Sequence, residues 1–256
     1  MENFENYLAI AKEAAHKAGD LLAQRYGPSY ELIQREADHY SIKTDSESND
    51  LYEDFLREKT PDVSLYTEEG QRSLDSDLVW VVDPLDGSYN YRVGLPLFVT
   101  QICLLHKREP AVAVIYNPVS KQEFTAVIGG GAFLNGQRIF ASEVAEMKKA
   151  MILTSRRTLK INEGRTMAAF AAAMRAVRLF GATGFDLSYI ASGGAEITIN
   201  DGSKLFDYAP GVLLIREAGG VAKNMEGEEW TIKDDNLVAG NKQLMPQVLE
   251  IIKSIS

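Results

Sequence analysis

Two acidic residues stand at the end of one short apolar run. Residues 78–82 are apolar, Asp83 follows them directly, and Asp86 comes three residues later. The length and β-branching of the run predict a buried strand, which Pro84 should end because proline cannot donate to a central ladder. Two carboxylates at the end of a buried strand repel each other and are costly to bury. A cation between them would remove both penalties, so the spacing predicts a metal site.

The two residues after Asp86 add a second kind of chemistry. Gly87 and Ser88 offer backbone N–H groups where a helix can begin, and such groups suit an anion. The segment therefore combines metal ligands, a phosphate cradle and a hydroxyl. An Asx turn that merely ends the strand is the alternative interpretation.

Two further acidic positions lie at predicted element ends. Residues 62–66 read as a short strand that runs into Glu68 and Glu69. Asp207 stands where a helix begins, with Pro210 expected in the first turn of that helix. A solvated acidic turn and a helix N-cap are the respective alternatives.

Composition limits the classes of function. The chain has 256 residues, of which 45% are hydrophobic and 25% charged, and its net charge is −9. These values indicate a globular protein and argue against nucleic acid as a bulk partner, because no basic stripe could neutralise phosphates. An acidic chain that handles phosphate needs a local positive centre, for which a metal ion is the natural choice.

The expected location follows from two features. Cys103 is the single cysteine, which excludes an intrachain disulfide and a cysteine-based zinc site and fits a reducing compartment. The N-terminus lacks the basic and apolar regions of a signal peptide, and no apolar run approaches the roughly 20 residues that span a bilayer. We therefore predict a cytoplasmic protein without a membrane partner.

The elements that must position these acids change in type along the chain. In the first half, one helix is predicted over residues 3–26. A second is predicted from Asp45, its N-cap, to Pro61, and strands joined by hairpins follow. Asn135-Gly136 is a strong hairpin turn signal. The first half should therefore be helices packed on a mainly antiparallel sheet. Its further strands are predicted at 98–106, 111–116 and 121–128.

From residue 149 onwards strands and helices alternate, which is typical of an α/β layer. We therefore divide the chain into a subdomain of residues 1–148 and one of residues 149–256, which together form one catalytic unit. Strands are predicted at 151–154, 177–180, 196–199, 221–223 and 237–239, and helices over 161–176, from Gly184, after Asp207 and over 242–253.

Three motifs in order resemble the inositol monophosphatase family of metal-dependent, lithium-sensitive phosphomonoesterases. They are residues 67–69 (Thr-Glu-Glu), 83–88 (Asp-Pro-Leu-Asp-Gly-Ser) and 206–220, which begins Phe-Asp-Tyr-Ala and ends Glu-Ala-Gly-Gly. The resemblance implies an α/β (α+β) fold, a layered αβαβα sandwich, and a homodimer. Residues 177–181 look closest to the archaeal-type branch, whose members often also hydrolyse fructose 1,6-bisphosphate.

The resemblance also implies a set of metal ligands. Glu68 and Asp83 would form one site, while Asp83, Asp86 and Asp207 would form a second that Asp83 bridges. The backbone carbonyl of Leu85 would be a further ligand, and a third, weaker ion would also use Glu68. Because all of these ligands are oxygens, two to three Mg²⁺ ions are expected, with Mn²⁺ as an alternative.

The same comparison implies roles in catalysis and phosphate binding. The N–H groups of Gly87 and Ser88 would bind the substrate phosphate beside Asp86. Asp45 and Ser88 would form the acid–hydroxyl pair that orients water, so the catalytic set is Asp45, Glu68 and Ser88. We prefer metal-activated water over Ser88 as a covalent nucleophile, because no histidine is placed to act as its base.

Some positions depart from the family pattern. Thr67 replaces the usual glycine, and one acidic residue is missing before Asp45. Asn200 stands where inositol-specific members carry a glutamate that contacts ring hydroxyls, although asparagine can still bond a hydroxyl. Lys204 is a candidate contact for a second phosphate, with a solvated loop charge as the alternative.

The predicted function is therefore Mg²⁺-dependent hydrolysis of a small phosphate monoester of the inositol monophosphate type. The expected partner is a phosphorylated polyol or sugar. Alternatives within the superfamily are a fructose-1,6-bisphosphatase, a bisphosphate nucleotidase and a histidinol-phosphatase. Outside the enzymes, the alternative is a non-catalytic protein that binds a phosphorylated ligand or a macromolecule.

Overall fold

The computed structural model describes residues 4–27, 32–35, 40–70 and 73–255. Within these ranges the chain forms seven α-helices and fourteen strands. The helices are α1 (Phe4–Arg25), α2 (Lys43–Lys59), α3 (Ser88–Arg92), α4 (Arg165–Ala173), α5 (Thr183–Ala191), α6 (Leu205–Glu217) and α7 (Met245–Ile255). The strands are β1 (Leu32–Arg35), β2 (Tyr40–Ile42), β3 (Ser64–Thr67), β4 (Leu78–Asp86), β5 (Val99–His106), β6 (Glu109–Asn117), β7 (Gln122–Val127), β8 (Gly131–Leu134), β9 (Gln137–Ile139), β10 (Met151–Thr154), β11 (Ala176–Arg178), β12 (Ile197–Asp201), β13 (Val221–Lys223) and β14 (Asn236–Gly240).

Most strands belong to two sheets. The larger has the order β3-β4-β5-β6-β7-β8-β9, in which only the β3–β4 pair is parallel. The smaller has the order β11-β10-β12-β14-β13, with β10 parallel to both of its neighbours and the other pairs antiparallel. Strands β1 and β2 form a separate antiparallel pair.

The helices and sheets stack in five layers. Helices α1 and α2 cover one face of the larger sheet, α5 and α6 lie between the two sheets, and α4 and α7 cover the outer face of the smaller sheet. Three apolar cores fill the stack, one under α1 and α2, one on both sides of the α5/α6 layer and one under α4 and α7, because each sheet is covered on both faces. The structure thus confirms the predicted α/β class and the αβαβα order.

Strand β4 shows how the sequence produces this layering. Side chains alternate across a strand, so a run that is apolar throughout must be buried on both faces. Val79 and Val81 join the core under α5 and α6, whereas Trp80 and Val82 join the core under α1 and α2. Helix α1 presents buried alanines to that second core, which lets its backbone approach the sheet closely.

The structure corrects the predicted end of this strand. Strand β4 does not stop at Asp83 but continues to Asp86, with a register irregularity between these two residues opposite β5. Pro84 lies inside the irregularity, where the ladder is interrupted and a missing N–H costs little. Both acids are therefore held by the rigid sheet.

Three helix starts also differ from the predictions. Helix α2 begins at Lys43, so Asp45 is its third residue and not its N-cap. Helix α6 begins at Leu205, which makes Asp207 its third residue and places Pro210 beyond the first turn. The segment predicted as one helix over 161–176 is a 3₁₀ segment, Thr158–Gly164, followed by α4, because the backbone takes left-handed conformations at 162–164.

The proposed boundary near residue 148 stays a prediction. The larger sheet uses strands before it and the smaller sheet uses strands after it, while α6 contacts strands of both.

Among the helices of the described ranges, none combines the length and apolar character needed to cross a bilayer.

Candidate active site

Acidic side chains from four parts of the fold meet at one edge of the larger sheet. Strands β3 and β4 are parallel, with Thr67 beside Val82, so the residues that follow them emerge together. Glu68 and Glu69 follow β3, and Asp83 and Asp86 end β4. The first turns of α2 and α6 bring the remaining two acids, Asp45 and Asp207.

These acids form two compact groups. Carboxylate oxygens of Asp83, Asp86 and Asp207 lie within 4.8 Å of one another, and so do those of Asp45, Glu68 and Glu69. A hydrogen bond between the Glu68 and Asp83 side chains joins the two groups. The first group contains the three aspartates that the resemblance assigns to one ion, although their role as ligands stays a prediction.

Asp83 is held by its own turn and by the next strand. The backbone N–H of Leu85 donates to Oδ1 at 3.1 Å, which is an Asx turn. From β5, the Gln101 amide Nε2 donates to Oδ2 at 3.2 Å. The Asx turn and the acidic cluster therefore coexist, and the turn aims the carboxylate at its neighbours.

Asp86 is fixed by the N-terminus of a helix from the other half of the chain. The N–H groups of Thr183 and Gly184, in the first turn of α5, donate to its two oxygens at 3.0 and 2.6 Å. The positive end of the helix favours a carboxylate at this place. Asp207 accepts the Lys204 N–H at 2.6 Å, so it caps α6 from within its first turn.

Burial and mutual repulsion disfavour the ionised forms of these acids. Burial, followed by the charge of Asp207, raises the pKa of Asp86 to about 7. Burial and the same neighbour raise the pKa of Glu68 to about 8. Burial raises the pKa of Asp207 to about 6, although the Lys204 N–H opposes it. The pKa values of Asp45 and Asp83 lie well above the usual range, first through burial and then through the charge of Glu68.

This donor set fits a divalent cation. Carboxylates that cannot all ionise by themselves gain from a shared positive charge, and an all-oxygen set is what Mg²⁺ and Mn²⁺ prefer. No donor among the described residues bonds to Oδ1 of the buried Asp45, which leaves a further acceptor available at the site.

Gly87 has to be glycine. Its φ is +87°, and a Cβ there would lie 2.9 Å from both Cβ of Ala182 and the carbonyl oxygen of Leu97. The left-handed turn starts α3 at Ser88 directly beside Asp86. Asn90 then ties α3 to the α5 side by donating to the carbonyl of Phe180 at 2.6 Å.

A cavity of about 530 Å³ opens beside Asp86. Its walls come from α3, from the segment that follows β10, and from the loop and first turns of α5. Beyond α3, the walls contribute several polar residues: Ser155, Arg156, Arg157, Thr183, Asp186 and Ser203. The cavity is large enough for a small phosphorylated metabolite.

Not every predicted site residue reaches this cavity. Asn200 is fully buried in β12, where its Nδ2 donates to Thr198 Oγ1 at 2.7 Å, and Lys204 is exposed at the start of α6. Neither lines the cavity. The contact of Asn200 and Lys204 with substrate stays a prediction, which their positions outside the cavity do not favour. The pairing of Asp45 with Ser88 also stays a prediction.

Four residues of the site were not predicted as such. Glu69 joins the Asp45 group, and Arg156, Arg157 and Asp186 line the cavity. The paired arginines were visible in the sequence but follow no motif. Asp186 had no local signal, because its importance comes from the place where α5 docks.

Comparison with known proteins identifies relatives over almost the entire length. The profile of the inositol monophosphatase family matches residues 3–256. The Nus factor SuhB of Haemophilus influenzae is 31% identical over 257 residues, which cover 96% of this chain and 95% of that protein. The Nus factor SuhB of Escherichia coli K12 is 32% identical, with 94% of each chain covered.

Solved structures agree with this fold. The extragenic suppressor protein suhB of Bartonella henselae superimposes with a TM-score of 0.92 at 28% identity, and 97% of this chain and 98% of that chain are covered. An IMPase of Thermotoga maritima has a TM-score of 0.90 at 24% identity, with 98% of each covered, and supports the fold alone. These proteins are bacterial, so the placement in the archaeal-type branch stays a prediction.

Proposed function

This chain belongs to the inositol monophosphatase family, and from that membership we propose that it is a Mg²⁺-dependent phosphatase of small polyol or sugar phosphates. The observation that carries the proposal is the convergence of Asp83, Asp86 and Asp207 beside the cavity. A protein that only binds a ligand has no need for so many aligned acids, whose burial is costly without a cation.

The residues divide into ion-holding and substrate-holding groups. Glu68, Asp83, the Leu85 carbonyl, Asp86 and Asp207 would hold two or three ions. Such ions, when bound, offset the charge of the phosphate and activate the attacking water. Phosphoryl transfer depends mainly on positioning and electrostatics, which a rigid strand end supplies well.

The chain itself would position the phosphate and the water. The N–H groups of Gly87 and Ser88 lie at the start of α3 and are proposed to hold the phosphate oxygens. Asp45 and Ser88 are proposed to orient the water, with the Asp45 carboxylate accepting one of its hydrogens. Arg156 and Arg157 add positive charge to the cavity wall of an otherwise acidic protein.

A phosphate-release panel tests this proposal. Inositol 1-phosphate, fructose 1,6-bisphosphate, histidinol phosphate and adenosine 3′,5′-bisphosphate would each be assayed with Mg²⁺, with Mn²⁺ and with chelator. We expect turnover of a polyol or sugar phosphate that disappears on chelation. Turnover that persists in chelator would contradict the metal mechanism, and the preferred substrate would separate the inositol-phosphate phosphatase from its three alternatives within the superfamily.

A second candidate function is binding without catalysis. The relatives from Haemophilus influenzae and Escherichia coli described above carry the name Nus factor SuhB. The prediction from net charge that nucleic acid is not a partner is not supported by these names. A metal-loaded protein that is thermally stabilised by a phosphorylated ligand, yet turns over none of the panel, would favour this candidate. The homodimer and the cytoplasmic location stay predictions.

A further inference from the structure

Asp186 is a buried acid that the proposed chemistry does not use. It lies in the first half of α5, is only 2% exposed, and lines the cavity that also contains Asp86. It belongs to neither of the two groups of clustered carboxylates found among the described residues. Asp186 therefore has a place on the cavity wall but no assigned role.

The carboxylate of Asp186 lacks the partner that its burial demands. Oδ1 is buried, and no donor from the described part of the chain bonds to it. Burial, and then the charge of Asp86, raises the pKa of Asp186 well above its usual range. A buried acceptor without a donor is costly, so such a group in a cavity wall points to a donor supplied from outside the chain.

We propose that Asp186 recognises a hydroxyl group of the substrate, so that the cavity selects phosphate esters of polyols. This inference rests on the proposed function, because it assigns the alcohol part of the ester to the cavity wall that α5 forms. A carboxyl group offers acceptor oxygens in either protonation state, and a hydroxyl is the donor in which polyols are rich.

The surroundings decide between a hydroxyl and other ligands. Asp186 brings no positive charge to hold a second phosphate, whereas Arg156 and Arg157 on the same cavity could hold an anion. A hydroxyl carries no charge and supplies the proton that Oδ1 lacks. The proposal thus assigns Asp186 to specificity and leaves the phosphate to the residues around Asp86.

Two variants and two substrates test the assignment. Asp186→Leu removes the acceptor, while Asp186→Asn keeps one acceptor oxygen without the charge. With inositol 1-phosphate we expect KM to rise about tenfold or more for Asp186→Leu, and less for Asp186→Asn. With phenyl phosphate, which has no hydroxyl on its alcohol part, we expect kcat/KM to stay within about twofold for both variants.

A structural role would give a different pattern. If Asp186 only held α5 in place, both variants would lower kcat/KM equally for the two substrates, and the inference would be overturned. Asp54→Asn, at an exposed position of α2, is the matched control for loss of an aspartate charge. Melting temperatures show whether each variant folds, and Asp186→Asn keeps the test valid if Asp186→Leu does not.

The inference can fail separately from the proposed function. If the native protein hydrolyses neither of these two substrates, calorimetric titration of inositol 1-phosphate into the Mg²⁺-loaded protein decides the role of Asp186, while the four-compound panel decides on the proposed phosphatase. Weaker binding by Asp186→Leu than by the unaltered chain would support the inference. Equal affinity, or no binding by the unaltered chain, would overturn it.

Discussion

At the scale of single residues, Asp86 links the two halves of the chain. It ends β4 of the larger sheet, yet its carboxylate accepts N–H groups from the first turn of α5. Its position therefore depends on how α5 docks between the sheets. Its ionisation is opposed first by burial and then by the charge of Asp207, which belongs to α6. Removal of the charge without loss of the shape is the most direct test of its role.

We expect Asp86→Asn and Asp207→Asn each to lower kcat/KM about 100-fold or more, because each removes one charge from the cation-holding group. The amide oxygen that Asp86→Asn leaves in place can accept only one of the two backbone N–H groups, but the repulsion with Asp207 is removed, so the metal-free melting temperature should change little. Phosphate release and thermal melting measure the two effects. Full turnover by both variants would show that the site has been assigned wrongly, and Asp54→Asn again serves as the control.

Gly184 is a second residue whose identity the site requires. A Cβ there would lie 2.4 Å from Oε1 of Gln101, a fully buried side chain that donates to Asp83. We expect Gly184→Ala to displace Gln101 and the α5 N-terminus, and to lower kcat about tenfold or more. The exposed Gly130→Ala, where the nearest atom is 3.2 Å away, is the control. Equal activity of the two variants would mean that the Gln101–Asp83 contact does not position the site.

At the scale of elements, the C-terminal end of α6 is tied to a loop of the larger sheet. The Glu217 carboxylate accepts the N–H of Gly129 at 2.7 Å and that of Gly131 at 2.8 Å. Both glycines have positive φ, which lets the loop turn its N–H groups towards one carboxylate. The triple glycine is therefore a docking loop for α6.

We expect Glu217→Ala to lower the free energy of unfolding by about 1–2 kcal/mol, because two charge-assisted hydrogen bonds are lost at a partly exposed site. Glu217→Gln keeps one carbonyl acceptor and should lose about half as much. Urea unfolding measures both changes. An unchanged midpoint for Glu217→Ala would show that this contact does not stabilise the packing of α6.

At the scale of the whole molecule, the acidic site couples stability to pH and to metal. Below about pH 4 these carboxyls are protonated in both the folded and unfolded chain. Because the folded-state pKa values of Asp207, Asp86 and Glu68 are raised to about 6, 7 and 8, the unfolded chain ionises first as the pH rises. Their contribution to the stability of the metal-free fold is therefore lost between about pH 4 and pH 8.

A divalent cation should reverse this loss, because its ligands bind it in the ionised form. We expect the rise in melting temperature on replacing chelator with Mg²⁺ to be larger at pH 8 than at pH 5.5. Scanning fluorimetry at both pH values gives the two differences, and Asp207→Asn should reduce the one at pH 8. An equal rise at both pH values would contradict the linkage between these carboxyls and the metal.

Much of the fold could be predicted because local signals agreed with the packing. The small-residue stripe of α1, the apolar run of β4 and the Asn135-Gly136 turn each specify one element without reference to the rest of the chain. Errors fell at element ends. The strand continues through Pro84 because it pairs with β5, which is distant in the sequence. The start of α6 was predicted too late, because the local cap in which Asp207 accepts the Lys204 N–H has Asp207 as the third helical residue and not as the N-cap.

The sequence by itself determined which acids are available and in what order, because Glu68, Asp83, Asp86 and Asp207 stand in motifs at element ends. Only the tertiary structure decided which side chains meet. Ile197 and Ile199 of β12 pack towards α4 and α7, so Asn200 turns to the opposite face and is buried there. Asp186 reaches the cavity because α5 docks against Asp86. The direction of a side chain is local, whereas what it faces is set by packing between distant segments.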